Sequence, residues 1–350
     1  MELSAARALI ADAVDRAVTP AAAIEVGRAD APIWQEAFGR LSYDAGAPPA
    51  SLDTIFDLAS LTKVMATTAL VMREVARARL DIDAPVGVWL DGWDDGDHAA
   101  IRLRHLLDHS SGLPARARLW ESIRGRAAFE AAIRDLPIEH PPGAASVYSD
   151  MGFITLGFVL EAAVGVPLDR QFDDLRREWN GSTTFNPSEK LRPRIAPTEL
   201  DAEQGSVVHG YVHDENARAL GGVAGHAGLF GAVTDVGAFA RLVLRTFHEP
   251  TALGTPSVMR TFAAQCDVPS SSRALGWDTM RPTSSCGVLM SPDAIGHTGF
   301  TGTSLWIDHA RDLYVAFLTN RIHPTRANDA HIALRPRVHD AIIAAFDAAS

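Results

Sequence analysis

The segment Phe56-Asp57-Leu58-Ala59-Ser60-Leu61-Thr62-Lys63-Val64-Met65 joins a strand-like run to a predicted helix, with a Ser-x-x-Lys at the join. This spacing is just under one α-helical turn, so the side chains of Ser60 and Lys63 lie on the same face. A serine hydroxyl attacks well only when a neighbour removes its proton, which a desolvated lysine, or a phenolate assisted by lysine, can do. Backbone N–H groups at the helix start would stabilise a developing oxyanion. The segment therefore predicts Ser60 as a nucleophile and Lys63 as its partner.

The use of lysine favours this chemistry over the simpler alternative, which is an N-cap serine followed by a surface lysine. Only two of the 32 lysine and arginine residues are lysines, Lys63 and Lys190. Arginine keeps its charge in proteins, whereas a buried lysine can lose its proton. A lysine in an otherwise apolar helix of an arginine-rich chain therefore indicates a role that needs an amine.

The overall composition is that of an ordinary globular protein. The 350 residues, 47% of them apolar and 21% charged, suit two domains or one large domain with an insertion. A formal net charge of −11 argues against nucleic acid or an anionic membrane as a partner, because both bind basic surfaces. No apolar run reaches the roughly 18 residues of a membrane-spanning helix. The two cysteines, Cys266 and Cys286, are expected to be incidental buried thiols, although they could pair.

The first ten residues include charged side chains and alternate apolar with polar at helical spacing, which predicts an amphipathic helix and not a signal peptide. We therefore expect a cytoplasmic protein if Met1 is the native start. If a leader has been removed, a periplasmic or secreted location is expected instead.

The order of predicted elements indicates an α/β fold of the α+β sandwich type, an antiparallel sheet flanked by helices. Strands are predicted at 21–26, 33–38, 295–302, 304–307 and 313–318, and a closing helix at 330–348. Residues 81–205, rich in Pro, Gly and Asp, predict an inserted, mostly helical region. We expect residues 1–80 and 206–350 to form the sheet domain, with the active site at the junction.

Histidines offer a metal site as an alternative. His105 and His109 are spaced for zinc on a helix, but the glutamate of His-Glu-x-x-His is absent, so a helix that ends at Gly112 is the simpler interpretation. A metallohydrolase would instead use a set further along the chain: His209, His213, Asp214 and His226.

The glycine-rich run at 221–228 follows no strand and lacks the Gly-Lys-Ser/Thr ending of a phosphate loop. It predicts the wall of a pocket instead. We predict neither a cofactor nor a structural metal.

Three short motifs together resemble the serine β-lactamase and penicillin-binding protein family, most closely class C β-lactamases and esterases of that fold. They are Ser60-Leu61-Thr62-Lys63, Tyr148-Ser149-Asp150 and His297-Thr298-Gly299, supported by the stretches at 109–114 and 225–230. Taken alone, Tyr148 would be interpreted as a packing residue. The order and spacing of the three motifs change that interpretation. The resemblance covers nearly the whole chain and implies a β-lactamase/transpeptidase-like fold.

The resemblance also implies the roles of the residues. Ser60 would be acylated and the acyl-enzyme then hydrolysed, with Lys63 and Tyr148 sharing the proton transfers. The oxyanion hole would be formed by the backbone N–H groups of Ser60 and Phe300. The supporting or substrate-binding residues would be Asp150, His297, Thr298 and Gly299.

Two departures from the family pattern remove positive charge, because the usual second and third motifs are Tyr-x-Asn and Lys-Thr-Gly. Asp150 and His297 stand in their place. An anionic substrate would be held less well, so we predict a carboxylesterase that acts on small neutral acyl esters. Arg321 or Arg326 could restore a carboxylate site, which leaves a β-lactamase or D-amino-acid peptidase open. A penicillin-binding sensor that is acylated without turnover is the alternative of another class.

Overall fold

The computed structural model describes residues 2–201 and 205–349. Its main sheet has six antiparallel strands in the order β2-β1-β11-β10-β9-β8. The bounds of these strands are Ala21–Gly27 (β1), Pro32–Gly39 (β2), Asp278–Thr279 (β8), Ile295–Thr298 (β9), Ser304–Asp308 (β10) and Leu313–Thr319 (β11). The predicted hairpin, the antiparallel sheet and the strands predicted at 304–307 and 313–318 are thus confirmed. The strand predicted at 295–302 is too long, because β9 ends at Thr298 and the chain then turns, with the N–H of Gly302 donating to the carbonyl of Gly299 at 3.0 Å.

Five shorter strands form two small sheets, in the orders β3-β7-β4 and β5-β6. Their bounds are Phe56–Asp57 (β3), Thr184–Phe185 (β4), Leu200–Asp201 (β5), Ser206–Val207 (β6) and Leu229–Gly231 (β7). The first of these sheets leads directly into Ser60, because β3 ends three residues before it.

Ten α-helices surround the sheets in the described part of the chain. Their bounds are Ser4–Asp15 (α1), Ala69–Ala76 (α2), Leu103–Leu107 (α3), Arg126–Arg134 (α4), Asp150–Val164 (α5), Leu168–Leu175 (α6), Glu215–Ala219 (α7), Val233–Thr246 (α8), Pro256–Ala263 (α9) and Ala330–Asp347 (α10). Helices α3 to α6 lie within the region predicted as a helical insertion, whereas the proposed domain division itself stays a prediction.

Alternation along β1 explains how the layers stack. Ala22, Ile24 and Val26 pack with α1 and α10 on one face of the sheet. Ala21 and Ala23 belong to the larger core on the other face, where α8 crosses β1, β10 and β11. Because strand side chains alternate between faces, a fully buried strand of this kind requires cover on both sides. The predicted helix-sheet-helix sandwich is therefore confirmed.

The helix that follows Ser60 runs through the larger core. It begins with a π-helical turn, Lys63–Thr68, and continues as α2. All six residues of the π-helical turn are buried. Such turns are rare in proteins overall, and those that occur are often found at functional sites.

One predicted helix is wrong in its extent. The segment expected to be helical up to Gly112 forms only α3, which ends at Leu107. Asp108 stops it, because its carboxylate accepts hydrogen bonds from the N–H and hydroxyl of Ser110 and so competes with the helical pattern. His109 has a left-handed φ of 61° and lies off the helix, so His105 and His109 do not form a one-turn pair.

Both cysteines are free thiols. Within the described ranges, no single helix has the length and apolar character of a membrane span; only α5 together with 168–179 passes by length and composition, and that pair is bent by 80°.

A buried carboxylate anchors α8 to the sheet. Glu25 on β1 is fully buried, and its Oε1 accepts hydrogen bonds from Tyr314 Oη (2.7 Å) and Arg241 Nη1 (2.7 Å). Gly237 on α8 leaves the space, since a Cβ there would lie 1.7 Å from Glu25 Oε1. Burial, and then the bond to Glu25, raise the pKa of Tyr314, so the phenol stays a donor.

We expect Arg241→Met to lower the free energy of unfolding by about 3 kcal/mol, because the buried Glu25 carboxylate loses its cation. Arg245→Met is the matched control, one turn further along α8 at a similarly half-buried position. Urea unfolding of the two variants measures the difference. Equal losses would show that the ion pair contributes nothing specific.

Candidate active site

The turn before Ser60 is held in an uncommon backbone conformation. Ala59 has a left-handed φ of 47°, which costs a non-glycine residue about 1 kcal/mol. Asp57 offsets this cost, since its Oδ1 accepts the N–H of Ala59 at 2.8 Å. Thr301 and Thr303 hold the same turn through hydroxyl bonds to the carbonyls of Asp57 (2.7 Å) and Leu58 (3.0 Å). The partly buried Ser60 is thereby presented at the end of a fixed turn.

Lys63 lies beside Ser60 and is fully buried. Its Nζ donates to Ser60 Oγ (3.1 Å), to Asp150 Oδ1 (2.8 Å) and to the carbonyl of His226 (3.1 Å). An ammonium group has three donors, and here each has an acceptor. Burial lowers the pKa of Lys63, but the charge of Asp150 and the interaction with Tyr148 outweigh burial and raise it. Lys63 is therefore an ammonium in this arrangement.

Tyr148 packs over the same ammonium. Nζ of Lys63 lies 4.9 Å from its ring centroid, and the guanidinium carbon of Arg273 lies 5.2 Å from it. The rings of His109 and His297 flank it at centroid distances of 4.6 and 5.9 Å. The ring of Tyr148 thus lies between two cations and two imidazole rings.

His297 supplies no positive charge. It is 3% exposed, its Nδ1 donates to the carbonyl of Thr298 (2.9 Å), and its Nε2 is buried with no partner among the described residues. Burial, followed by the charges of Arg273 and Lys63, holds the pKa of His297 well below its usual range. The neutral imidazole agrees with the expectation from the sequence.

Two backbone N–H groups belong to residues that line the same cavity, Ser60 and Phe300. Those of Ser60 and Phe300 donate to no acceptor in the parts of the chain that the structure describes. Gly299 makes their approach possible, because a Cβ at this residue would lie 2.1 Å from Thr303 Oγ1 and 2.6 Å from the carbonyl oxygen of Leu58. Unpaired N–H groups next to a nucleophile are the geometry of an oxyanion hole.

The two arginines expected to replace the missing lysine lie in different surroundings. Arg321 is 9% exposed and donates to the carbonyls of Phe300 (3.1 Å) and Asn328 (2.7 Å). Its guanidinium is therefore occupied by hydrogen bonds to the backbone. Arg326 faces the cavity, but its guanidinium pairs with Glu199 (2.6 Å) and Glu215 (2.9 Å). Neither guanidinium is a free carboxylate-binding group.

Ser60, Tyr148, Asp150 and Phe300 line one cavity of about 390 Å³. Six charged side chains also line it, three of each sign: Arg116, Arg118, Arg326, Asp150, Asp214 and Glu215. Among them, Arg116 lies 3.7 Å from Asp150. The cavity thus has balanced charge in a chain whose formal net charge is −11.

Several of these groups escaped the sequence analysis. Arg116 and Arg118 lie on an exposed loop, where arginine is common in this chain, and no motif marks them. Asp57 lies three residues before Ser60. An acidic side chain at such a position often accepts a backbone N–H of the following turn, and this signal could have been used. The His226 carbonyl is backbone and leaves no trace in the sequence.

The histidines proposed as metal ligands have other partners. His226 Nε2 lies 2.8 Å from Asp214 Oδ1, His213 Nε2 lies 2.9 Å from Glu199 Oε2, and His209 Nε2 lies near two carbonyl oxygens. Within residues 2–201 and 205–349, no three His, Cys, Asp or Glu side chains are placed to hold a metal ion. The metallohydrolase hypothesis therefore gains no ligand set.

Comparisons with known proteins agree with this architecture. A family model described as Beta-lactamase matches residues 6–338. A provisionally assigned D-alanyl-D-alanine carboxypeptidase of Salmonella heidelberg (strain SL476) is 32% identical over 314 residues, 80% of this chain and 72% of that protein.

Solved structures share the fold. EstCE1, a hydrolase with promiscuous acyltransferase activity, has a TM-score of 0.77 and 20% identity, with 97% of this chain and 98% of that chain covered. The octameric penicillin-binding protein homologue from Pyrococcus abyssi has a TM-score of 0.74 and 19% identity, with 95% and 77% covered. At these identities the likeness concerns the fold alone.

We expect Gly299→Ala to slow covalent labelling by a fluorophosphonate, a general probe of activated serines, by about 100-fold, the effect of losing one oxyanion donor. The added Cβ would push Phe300 away from Ser60. Gly46→Ala is the control, since a Cβ at Gly46 meets nothing within 4 Å. Labelling of Gly299→Ala at the rate of Gly46→Ala would contradict the assignment.

Proposed function

Because the chain belongs to the beta-lactamase family of serine hydrolases, we propose that it is a carboxylesterase that hydrolyses small neutral acyl esters through an acyl-enzyme on Ser60. The observation that carries the proposal is the balance of charge around the nucleophile. Lys63 pairs with Asp150, Arg326 pairs with Glu199 and Glu215, and His297 is neutral, so the cations at these positions are matched by carboxylates. A neutral ester enters such a site without an uncompensated charge.

The first half-reaction transfers the acyl group to Ser60. Tyr148 accepts the proton of Ser60 Oγ as that oxygen attacks the ester carbonyl carbon. The carbonyl oxygen becomes an oxyanion that accepts hydrogen bonds from the N–H groups of Ser60 and Phe300. When the tetrahedral intermediate collapses, the C–O bond to the alcohol breaks and Tyr148 returns the proton to the alcohol.

The second half-reaction hydrolyses the acyl-enzyme. A water molecule gives its proton to Tyr148 and attacks the acyl carbonyl, which again forms an oxyanion in the same hole. Collapse breaks the bond to Ser60 Oγ, which regains a proton from Tyr148, and the carboxylic acid leaves. The scheme uses no cofactor.

In this mechanism Lys63 is a fixed positive charge and not the base. All three of its donors have acceptors, and its raised pKa keeps it protonated. The ammonium stabilises the negative charge that Tyr148 carries before it takes the proton of Ser60. Asp150 is the reason for this division of roles, because an asparagine would not hold the proton on Lys63.

A second candidate is hydrolysis of D-alanyl peptides, which the 32% identical relative favours by its name. It would need a cation for the terminal carboxylate of the peptide. Arg116 and Arg118 are the exposed candidates at the rim, with side-chain exposures of 70% and 71%. Each contacts one carboxylate, Asp150 at 3.7 Å and Glu121 at 2.7 Å, whereas Arg326 pairs with both Glu199 and Glu215.

The proposal predicts the order of activities in a substrate panel. Wild-type protein should hydrolyse p-nitrophenyl acetate and butyrate with a kcat/KM at least about 10-fold above that for nitrocefin or a D-alanyl-D-alanine peptide, a difference of about 1.4 kcal/mol in transition-state stabilisation. Ser60→Ala should lose all of these activities.

Faster turnover of nitrocefin or of the peptide would overturn the ester proposal in favour of the corresponding alternative. Mass spectrometry after a substrate pulse separates the sensor hypothesis, since an adduct on Ser60 that persists for hours contradicts a hydrolase.

We expect Asp150→Asn to move the alkaline limb of the kcat/KM profile to lower pH. Asp150 is the first of the groups that raise the pKa of Lys63, so its removal lowers that pKa and the ammonium is lost at lower pH. Asp135→Asn, at a surface carboxylate that is 71% exposed, is the matched control. An unmoved alkaline limb in Asp150→Asn would contradict a role for the Lys63 charge.

A further inference from the structure

The dipeptide His213-Asp214 has no part in the mechanism above, yet it contacts both sides of the Ser60–Lys63 pair. On the first side, the N–H of His213 donates to Asp57 Oδ2 at 2.7 Å. The other oxygen of Asp57 accepts the N–H of Ala59, the residue before Ser60. The Asp57 carboxylate is 2% exposed, so this bridge is shielded from water. The dipeptide thus supports the turn that presents the nucleophile.

On the second side, Asp214 holds His226. Asp214 Oδ1 accepts from His226 Nε2 (2.8 Å) and from the N–H of Ala217 (2.8 Å). His226 is 1% exposed, and its Nδ1 is buried with no partner in the described ranges. Because a carboxylate oxygen accepts, His226 Nε2 is the donor in this hydrogen bond. Burial raises the pKa of Asp214, but His226, the Ala217 N–H and Lys63 outweigh it, so that pKa is lowered and Asp214 stays an acceptor.

The backbone of His226 in turn holds Lys63, whose Nζ donates to its carbonyl at 3.1 Å. This carbonyl lies in the glycine-rich run 221–228, whose backbone has little conformational preference of its own. Side chains must therefore fix it. Thr67 does so on one side, with its hydroxyl 2.6 Å from the carbonyl of Gly225. The His226–Asp214 pair does so on the other.

We propose that Asp214 is a positioning residue for Lys63, acting through the imidazole of His226 to direct the His226 carbonyl at the ammonium. The proposal rests on the roles given above to Ser60 and Lys63, but not on an ester being the substrate. Without Asp214, the ammonium loses one of its three fixed acceptors. Lys63 then moves relative to Ser60 and Tyr148, and displacements of about 1 Å can cost about 100-fold in rate.

A substitution of Asp214 leaves the other groups that interact with Lys63 in place. The groups that interact electrostatically with Lys63 are Asp150, Tyr148, His109, His297 and Asp214. A shift in the alkaline limb after a change at Asp214 therefore reports the one member of this set that was altered.

The experiment measures the rate of fluorophosphonate labelling of Ser60, from pH 6 to 10, in Asp214→Ala and Asp214→Asn. We expect Asp214→Ala to label about 10- to 100-fold more slowly at neutral pH and to lose reactivity at lower pH than wild type. Asp214→Asn keeps an acceptor oxygen for His226, so we expect it to recover most of the neutral-pH rate. A double variant, Asp214→Ala with His226→Gln, should lose no more than Asp214→Ala alone, because both act through one contact.

Thr255→Ala is the control for the lost helix cap. Thr255 caps α9 as Asp214 caps α7, through a side-chain oxygen that accepts a backbone N–H. It should melt at lower temperature yet label at the wild-type rate. Wild-type labelling by Asp214→Ala overturns the proposal, as does equal damage in Asp214→Asn, which would assign the effect to charge. Since labelling needs no particular substrate, failure of the ester proposal leaves this comparison decisive.

Discussion

Lys63 places an ammonium group in the interior of the protein, and the rest of the site follows from that requirement. A buried ion is strongly unfavourable unless charge and hydrogen bonds compensate for lost water. Its acceptors are Ser60, Asp150 and His226, which lie on a turn, at the start of α5 and in the glycine-rich run. Those three parts of the chain must therefore meet at one point. The packing that satisfies the ion is the packing that brings together the proposed nucleophile, its charge partner and the cavity wall.

A second constraint comes from the backbone around Ser60. Ala59 adopts a left-handed conformation, and Gly299 allows the turn that follows β9 to approach within a distance no side chain would tolerate. Together they leave two N–H groups, those of Ser60 and Phe300, without acceptors among residues 2–201 and 205–349. The cost of the turn is offset by the Asp57 carboxylate, so the proposed oxyanion hole and the Asp57 bridge form one structural unit.

The sequence anticipated what is local and periodic. The β1–β2 hairpin and α10 follow from alternation and helical spacing, and the three motifs identified the family. Long-range contacts and contacts made by the backbone could not be predicted from the sequence. The segment after α3 is not helical, because the Asp108 side chain competes for backbone donors. The carboxylate of Asp57 and the carbonyl of His226 act on groups far along the chain, and neither belongs to a periodic pattern. Exposed Arg116 does not differ in sequence from the many arginines at the surface.

The scarcity of lysine has a practical consequence for handling the protein. Of its two lysine side chains, Lys63 is fully buried and hydrogen-bonded, whereas Lys190 is exposed on the surface. Amine-selective reagents such as succinimidyl esters react with accessible, unprotonated amines, and a buried ammonium is neither. Dyes, biotin or a solid support would therefore attach to the side chain of Lys190 and not to that of Lys63. Such labelling would leave the proposed catalytic lysine chemically unmodified.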